Sequence, residues 1–132
     1  MIIPRVPERF AIRYGALRAL LSVLGLGPRY SGLELDRDRL RVRMGWAFGA
    51  TVARAQIRTA RHSEGLVGGI GVHGWRGHWL VNGAASGLVT LDIDPAARAW
   101  VIGVPVKLRS LRVSVEDPDA LLRALGAPQG AA

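Results

Sequence analysis

The stretch from Val72 to Ile93, VHGWRGHWLVNGAASGLVTLDI, limits the fold more than any other part of the chain. Two apolar runs, residues 77–81 and 87–93, flank a turn that begins at Asn82-Gly83. Asn-Gly between hydrophobic runs is the strongest short-range hairpin signal, because both residues accept positive φ at little cost. Ala84, Ala85 and Ser86 lengthen the loop beyond the minimal two-residue turn. In the second run Val89, Leu91 and Ile93 alternate with Leu88, Thr90 and Asp92, so the odd positions form the cleaner core face. A chain built around such a unit is mainly β, and the unit itself names no reaction.

Further runs repeat the pattern. Leu33 and Leu35 lead into Asp36-Arg37-Asp38, and Leu40, Val42 and Met44 leave it, which predicts a second hairpin. Arg39, Arg41 and Arg43 then share the opposite face of a half-buried strand. Three aligned guanidiniums can hold phosphates or carboxylates. The plainer reading is a solvated face opposed by Asp and Glu of neighbouring strands. Trp46, Phe48, Ala50 and Val52 suit another strand. Trp100, Ile102, Val104, Val106 and Leu108 are in phase, whereas Leu111, Val113 and Val115 have the other parity. Such a slip implies a bulge, a bend or a separate strand near Arg109-Ser110, and Pro105 argues against a central strand there.

Two short helices are expected. Leu17, Leu20, Leu21 and Leu24 recur at helical spacing within residues 16–24, and Gly25, Gly27 and Pro28 stop the run. Packing against a sheet is the preferred use of that helix, with a membrane-interfacial role as the sharper alternative. Asp117 and Pro118 open a second helix over residues 118–125, which Gly126 ends. Residues 1–9 read as an extended arm and 127–132 as a disordered tail.

Composition narrows the function classes. The chain has 132 residues, enough for one domain with its own core, and no Cys for a disulfide or a thiolate metal site. No uncharged apolar run nears the roughly 18 residues of a spanning helix. The start, MIIPRVPERF, lacks a continuous apolar signal core, so a cytoplasmic location is expected. The net charge of +8, carried by 17 Arg and one Lys against 10 acids, favours anionic partners. The excess is spread along the chain without a basic block, so general basicity stands ahead of one anion site.

These short strands, the last strand LRVSVED and the closing helix PDALLRAL resemble a bacterial pleckstrin-homology-like (PH-like) domain. The likeness is to a small actinobacterial family of unknown function. It covers residues 31–126, with residues 1–30 as an arm and short helix packed on the domain. It implies a strongly bent antiparallel sheet or partly open barrel with a C-terminal capping helix. Members of the wider fold bind lipid headgroups, peptides or proteins, so the fold does not choose among them.

Candidate chemistry is sparse. Gly69 to Gly74 spells G-x-G-x-x-G, but Trp75-Arg76-Gly77-His78-Trp79 follows it and no βαβ unit surrounds it. His62, His73 and His78 read as separate hydrogen-bonded histidines, and no metal ligand set is assigned. Asp92 and Asp94 make no persuasive acid–base pair. Nucleophile-elbow, Walker and zincin motifs are missing, so no catalytic residue and no cofactor are assigned. Trp75 beside Arg76 is the most suggestive surface feature, a stacking or headgroup platform. The expected function is a non-enzymatic binding module that uses Arg39, Arg41, Arg43, Trp75 and Arg76 against an anionic membrane surface or a protein partner. The alternatives are an enzyme or carrier with an apolar cavity at Trp79 and Trp100, and a weak nucleic-acid binder.

Overall fold

The computed structural model describes residues 8–15, 18–63, 71–82, 84 and 86–126. The expected N-terminal arm falls mostly outside them, and the tail wholly so. The chain forms a curled, open sheet, half of a barrel, with a short helix closing it. The strands are β1 (Glu8–Phe10), β2 (Ser31–Leu35), β3 (Arg39–Met44), β4 (Phe48–Ala53), β5 (Ile57–His62), β6 (Gly71–Trp75), β7 (His78–Asn82), β8 (Leu88–Val101) and β9 (Val104–Ser114). Helix α1 is Arg18–Val23 and α2 is Pro118–Ala124. The sheet order is β1-β2-β3-β4-β8-β9-β7-β6, with β5 also on β8.

The hairpin over residues 33–44 forms as expected, with Leu35 opposite Leu40 and Leu33 opposite Val42. Asp36 turns the chain by accepting the Asp38 and Arg39 backbone N–H groups at 3.1 and 3.2 Å. Leu40, Val42 and Met44 of β3 are buried and meet Val52, Ala50 and Phe48 of β4.

The central hairpin is corrected. Both of its strands exist, as β7 and β8, but they do not pair with each other: β9 lies between them, antiparallel to β8 and parallel to β7. The sheet is therefore mixed rather than wholly antiparallel. The loop after Asn82 carries the chain past a whole strand, and its length permits this where a two-residue turn would not. The tight turns lie elsewhere. Arg76-Gly77 joins β6 to β7 and Ile102-Gly103 joins β8 to β9, each with two consecutive positive φ values (50° and 89°, 49° and 77°). Paired positive φ is the primed-turn geometry that matches strand twist. The parallel register sets Trp79 beside Leu111 and Val81 beside Val113, adding Val81 to the core.

β8 is long enough to serve two neighbours on one edge. Its first half pairs with β5 and its last residues with β4. Between Asp92 and Ala97 its register with β9 jumps, so residues 93–96 oppose Arg109 alone. The bend foreseen at Arg109-Ser110 is real, with the extra residues on the partner strand. Across it the buried set of β9 passes from Leu108 to Leu111 and Val113. Both faces of residues 88–91 are covered, because Thr90 lies between Arg61 and Arg112, whose long side chains share its face.

Helix α2 begins at Asp117, whose Oδ1 accepts the Ala120 N–H at 3.1 Å, and it buries Leu121 and Leu122 in the core. Helix α1 ends at Val23, one residue before the expected end, and Ala16 and Leu17 lie outside the described residues. Leu21 is buried, whereas Leu20, Val23 and Leu24 stand in solvent.

Candidate functional site: a basic and aromatic outer face

Because Leu40, Val42 and Met44 point inward, Arg39, Arg41 and Arg43 line the outer face of β3. The neighbouring strands decide what surrounds them. In one row Glu34, Arg41 and Thr51 lie side by side; in the next come Gly32, Arg43, Gly49 and Trp100. Arg98, two residues before Trp100, shares its face of β8. Gly49 has no side chain, and nothing lies within 4 Å of where a Cβ would stand, so the sheet is open between Arg43 and Trp100. The result is a depression of about 620 Å³ lined by Arg41, Arg43, Trp46, Thr51, Arg98 and Trp100. Arg41 and Arg43 form the ridge between it and a second depression of about 610 Å³, which Arg9, Arg29, Tyr30 and Glu34 also line.

The charges on this face are poorly neutralised. Glu34 is held by Arg9 at 3.2 Å, and Arg39 reaches Asp36 at 3.9 Å. Among the described residues no carboxylate forms an ion pair with Arg41, Arg43 or Arg98. The Arg43 Nε–H donates to the Gly45 carbonyl at 3.3 Å, leaving the rest of its fork outward. The expected screen of acids is present on the β2 side, where Glu34 lies opposite Arg41 and Asp36 meets Arg39, and missing on the β4 side, where Thr51 and Gly49 stand opposite Arg41 and Arg43. Trp46 is fixed in place, its Nε1–H donating to the Leu24 carbonyl at 2.6 Å, yet it stays 57% exposed; Trp100 is 48% exposed. An unpaired guanidinium fork beside an exposed indole suits a planar or phosphate-bearing anion with an apolar part.

The five residues singled out from sequence do not make one site. Arg39, Arg41 and Arg43 share a face as expected, although Arg39 is drawn to Asp36. Arg76 sits in the β6–β7 turn near the other end of the sheet order, beside Lys107 and Arg109. The Trp75 side chain lies outside the described residues. Arg98, Trp46 and Trp100 were missed. Trp100 is in phase with Leu108 in the sequence, but the two fall on different strands, and Ala97 and Ala99 are the buried residues of β8 there. The signal was the alternation itself: Arg98 marks the outward parity, and Trp100 shares it.

Other candidates resolve simply. His62 Nε2 and Asp119 Oδ1 are 2.8 Å apart, and His78 Nδ1 and Ser110 Oγ are 2.7 Å apart, so both are hydrogen-bonded histidines. The His73 side chain lies outside the described residues. No group of three potential ligands converges among the described residues. Asp92 accepts from the Thr59 hydroxyl and meets Arg61 at 3.6 Å. The G-x-G-x-x-G spelling runs into strand β6, not a helix start; Gly69 and Ile70 lie outside the described residues. Trp79 sits beside the core residue Leu111 while Trp100 stands on the outer face, so among the described residues the two line separate depressions. Among the described residues no helix is long and apolar enough to cross a membrane. No protein family, curated protein or solved structure matches the chain.

Proposed function

We propose that this protein is a non-enzymatic, PH-like binding module that attaches to an anionic membrane surface through the outer face of β3, β4 and β8. One observation carries this reading: Arg41, Arg43 and Arg98, which form no ion pair among the described residues, meet Trp46 and Trp100 around the open floor at Gly49. The net charge of +8 supports it. Each basic residue near an anionic leaflet contributes about 1 kcal/mol, so a few acting together give weak, reversible attachment. Single-stranded nucleic acid is the competing anion, because an indole beside arginines also stacks bases.

Sedimentation with phosphatidylcholine vesicles, with and without phosphatidylglycerol, run beside a single-stranded DNA titration, separates the two. The expected outcome is pelleting with the anionic vesicles only. The triple variant Arg41→Ala/Arg43→Ala/Arg98→Ala should lose roughly a hundredfold in vesicle affinity. Equal pelleting with both vesicle types, or none with either, ends the membrane reading. Tight DNA binding without vesicle binding replaces it with the nucleic-acid reading, and two negatives leave a protein partner.

A further inference from the structure

Beside the arginine face, three segments distant in sequence meet at one rim. The Trp46 Nε1–H donates to the Leu24 carbonyl at 2.6 Å, joining the β3–β4 turn to the end of α1. At the same place a Cβ on Gly45 would lie 2.1 Å from the Gly25 carbonyl oxygen. The Ile102 N–H donates to the Ala47 carbonyl at 3.0 Å, joining the β8–β9 turn to the same structure. These segments expose Val23, Leu24, Trp46, Trp100, Ile102 and Val104. Val23 is 85% and Ile102 66% exposed, high values for aliphatic side chains of a soluble surface.

Two observations say what this rim meets. The first is charge. Residues 18–30, 39–53 and 96–104, which build the rim and the β3, β4 and β8 side of the adjoining face, contain no Asp or Glu, but they contain Arg18, Arg29, Arg41, Arg43 and Arg98. An apolar tip flanked by arginines is complementary to an anionic bilayer, with acyl chains beneath a negative headgroup layer. The second is Ile102. It occupies the first position of a two-residue primed turn at φ 49°, where Asn is favoured and a β-branched residue is strained. Its side chain gains no burial in return, and nothing lies within 4 Å of a Cβ built on the next residue, Gly103. Folding alone would select Asn-Gly here, so the isoleucine answers to something outside the chain.

We infer that the rim formed by the end of α1, the β3–β4 turn and the β8–β9 turn inserts Val23, Leu24, Trp46 and Ile102 below the headgroups of an anionic bilayer, while Arg43 and Arg98 hold lipid phosphates. This rests on the membrane reading above and adds insertion and orientation to it. The molecule stands on this rim, with α2 and the Arg76 turn directed elsewhere.

The test uses Ile102→Asn, a substitution the turn geometry welcomes, so the variant folds at least as well as the native protein. Its affinity for phosphatidylcholine–phosphatidylglycerol vesicles should fall about tenfold, the effect of withdrawing one aliphatic side chain from apolar surroundings. Its thermal midpoint should hold or rise, and Ile102→Leu should bind like the native protein. Vesicles containing brominated phosphatidylcholine should quench tryptophan fluorescence, and Trp46→Phe should remove much of that quenching. Native-like binding by Ile102→Asn, with binding lost only in the arginine triple variant, overturns insertion and leaves surface attachment standing. Failure of the native protein to bind anionic vesicles sinks the membrane reading itself. A native dimer in lipid-free sedimentation velocity that Ile102→Asn dissolves overturns the inference in favour of a second copy.

Discussion

Gly45 is the residue at which the rim is most tightly built. Its φ of 51° lies in the left-handed region, and a Cβ there would also collide with the Gly25 carbonyl and the Leu26 side chain. Both conformation and space demand glycine. Gly45→Ala should therefore destabilise the protein by about 2 kcal/mol or more, read as a lower denaturant midpoint at unchanged m-value. Ile102 is the opposite case, a side chain in the same backbone region that the fold does not need. A strained residue with no packing return is a signal that sequence reading cannot supply, since φ is invisible until the turn is placed.

At the scale of single elements, the β2–β3 turn depends on the ionised Asp36 carboxylate. The Asp38 backbone N–H, with further help from the Arg39 N–H and the Arg39 and Arg41 charges, holds its pKa below the ordinary 3.8. A carboxyl whose folded pKa is depressed contributes its stabilisation fully above the ordinary value and loses it as the pH falls through the folded value. Asp36→Ala should accordingly lower the urea midpoint at neutral pH, and the gap from the native protein should narrow as the pH drops below 3.8. A gap that stays constant into acid would show that the turn does not use the charge. Helix α1 teaches a different lesson. Its apolar spacing was legible, but among its described residues only Leu21 joins the core, while Leu20, Val23 and Leu24 stand exposed at the rim.

For the whole molecule, α2 is the closing piece. Leu121 and Leu122 join the core formed by the concave side of the sheet, and the Arg54 guanidinium donates to the Ala124 carbonyl at 2.9 Å and to the Asp36 carbonyl at 3.3 Å. Leu121→Ala should cost about 2–5 kcal/mol of stability. Vesicle affinity of the folded variant should stay unchanged, because the helix serves the inner side and the arginines line the outer one. Chemical denaturation and vesicle sedimentation on the same preparation check both halves, and a large loss of affinity would show that the two sides are coupled.

Local alternation was enough to determine the strands β2, β3 and β4, the inward set Leu40, Val42 and Met44, the outward arginines between them, the Asp36 turn and the capped C-terminal helix. Each follows from the period of two or from a cap, properties a short segment carries by itself. Pairing beyond the β2–β3 hairpin was decided by the tertiary structure. Asn82-Gly83 promised a hairpin, yet β9 enters between β7 and β8, because burying Val81 beside Val113 and Leu91 beside Leu111 outweighs local turn preference. The same long-range pairing sets Trp100 beside Gly49 and Gly49 beside Arg43. The arginine row was therefore readable in the sequence, while its tryptophan partners came from strands whose neighbours only the folded sheet could assign.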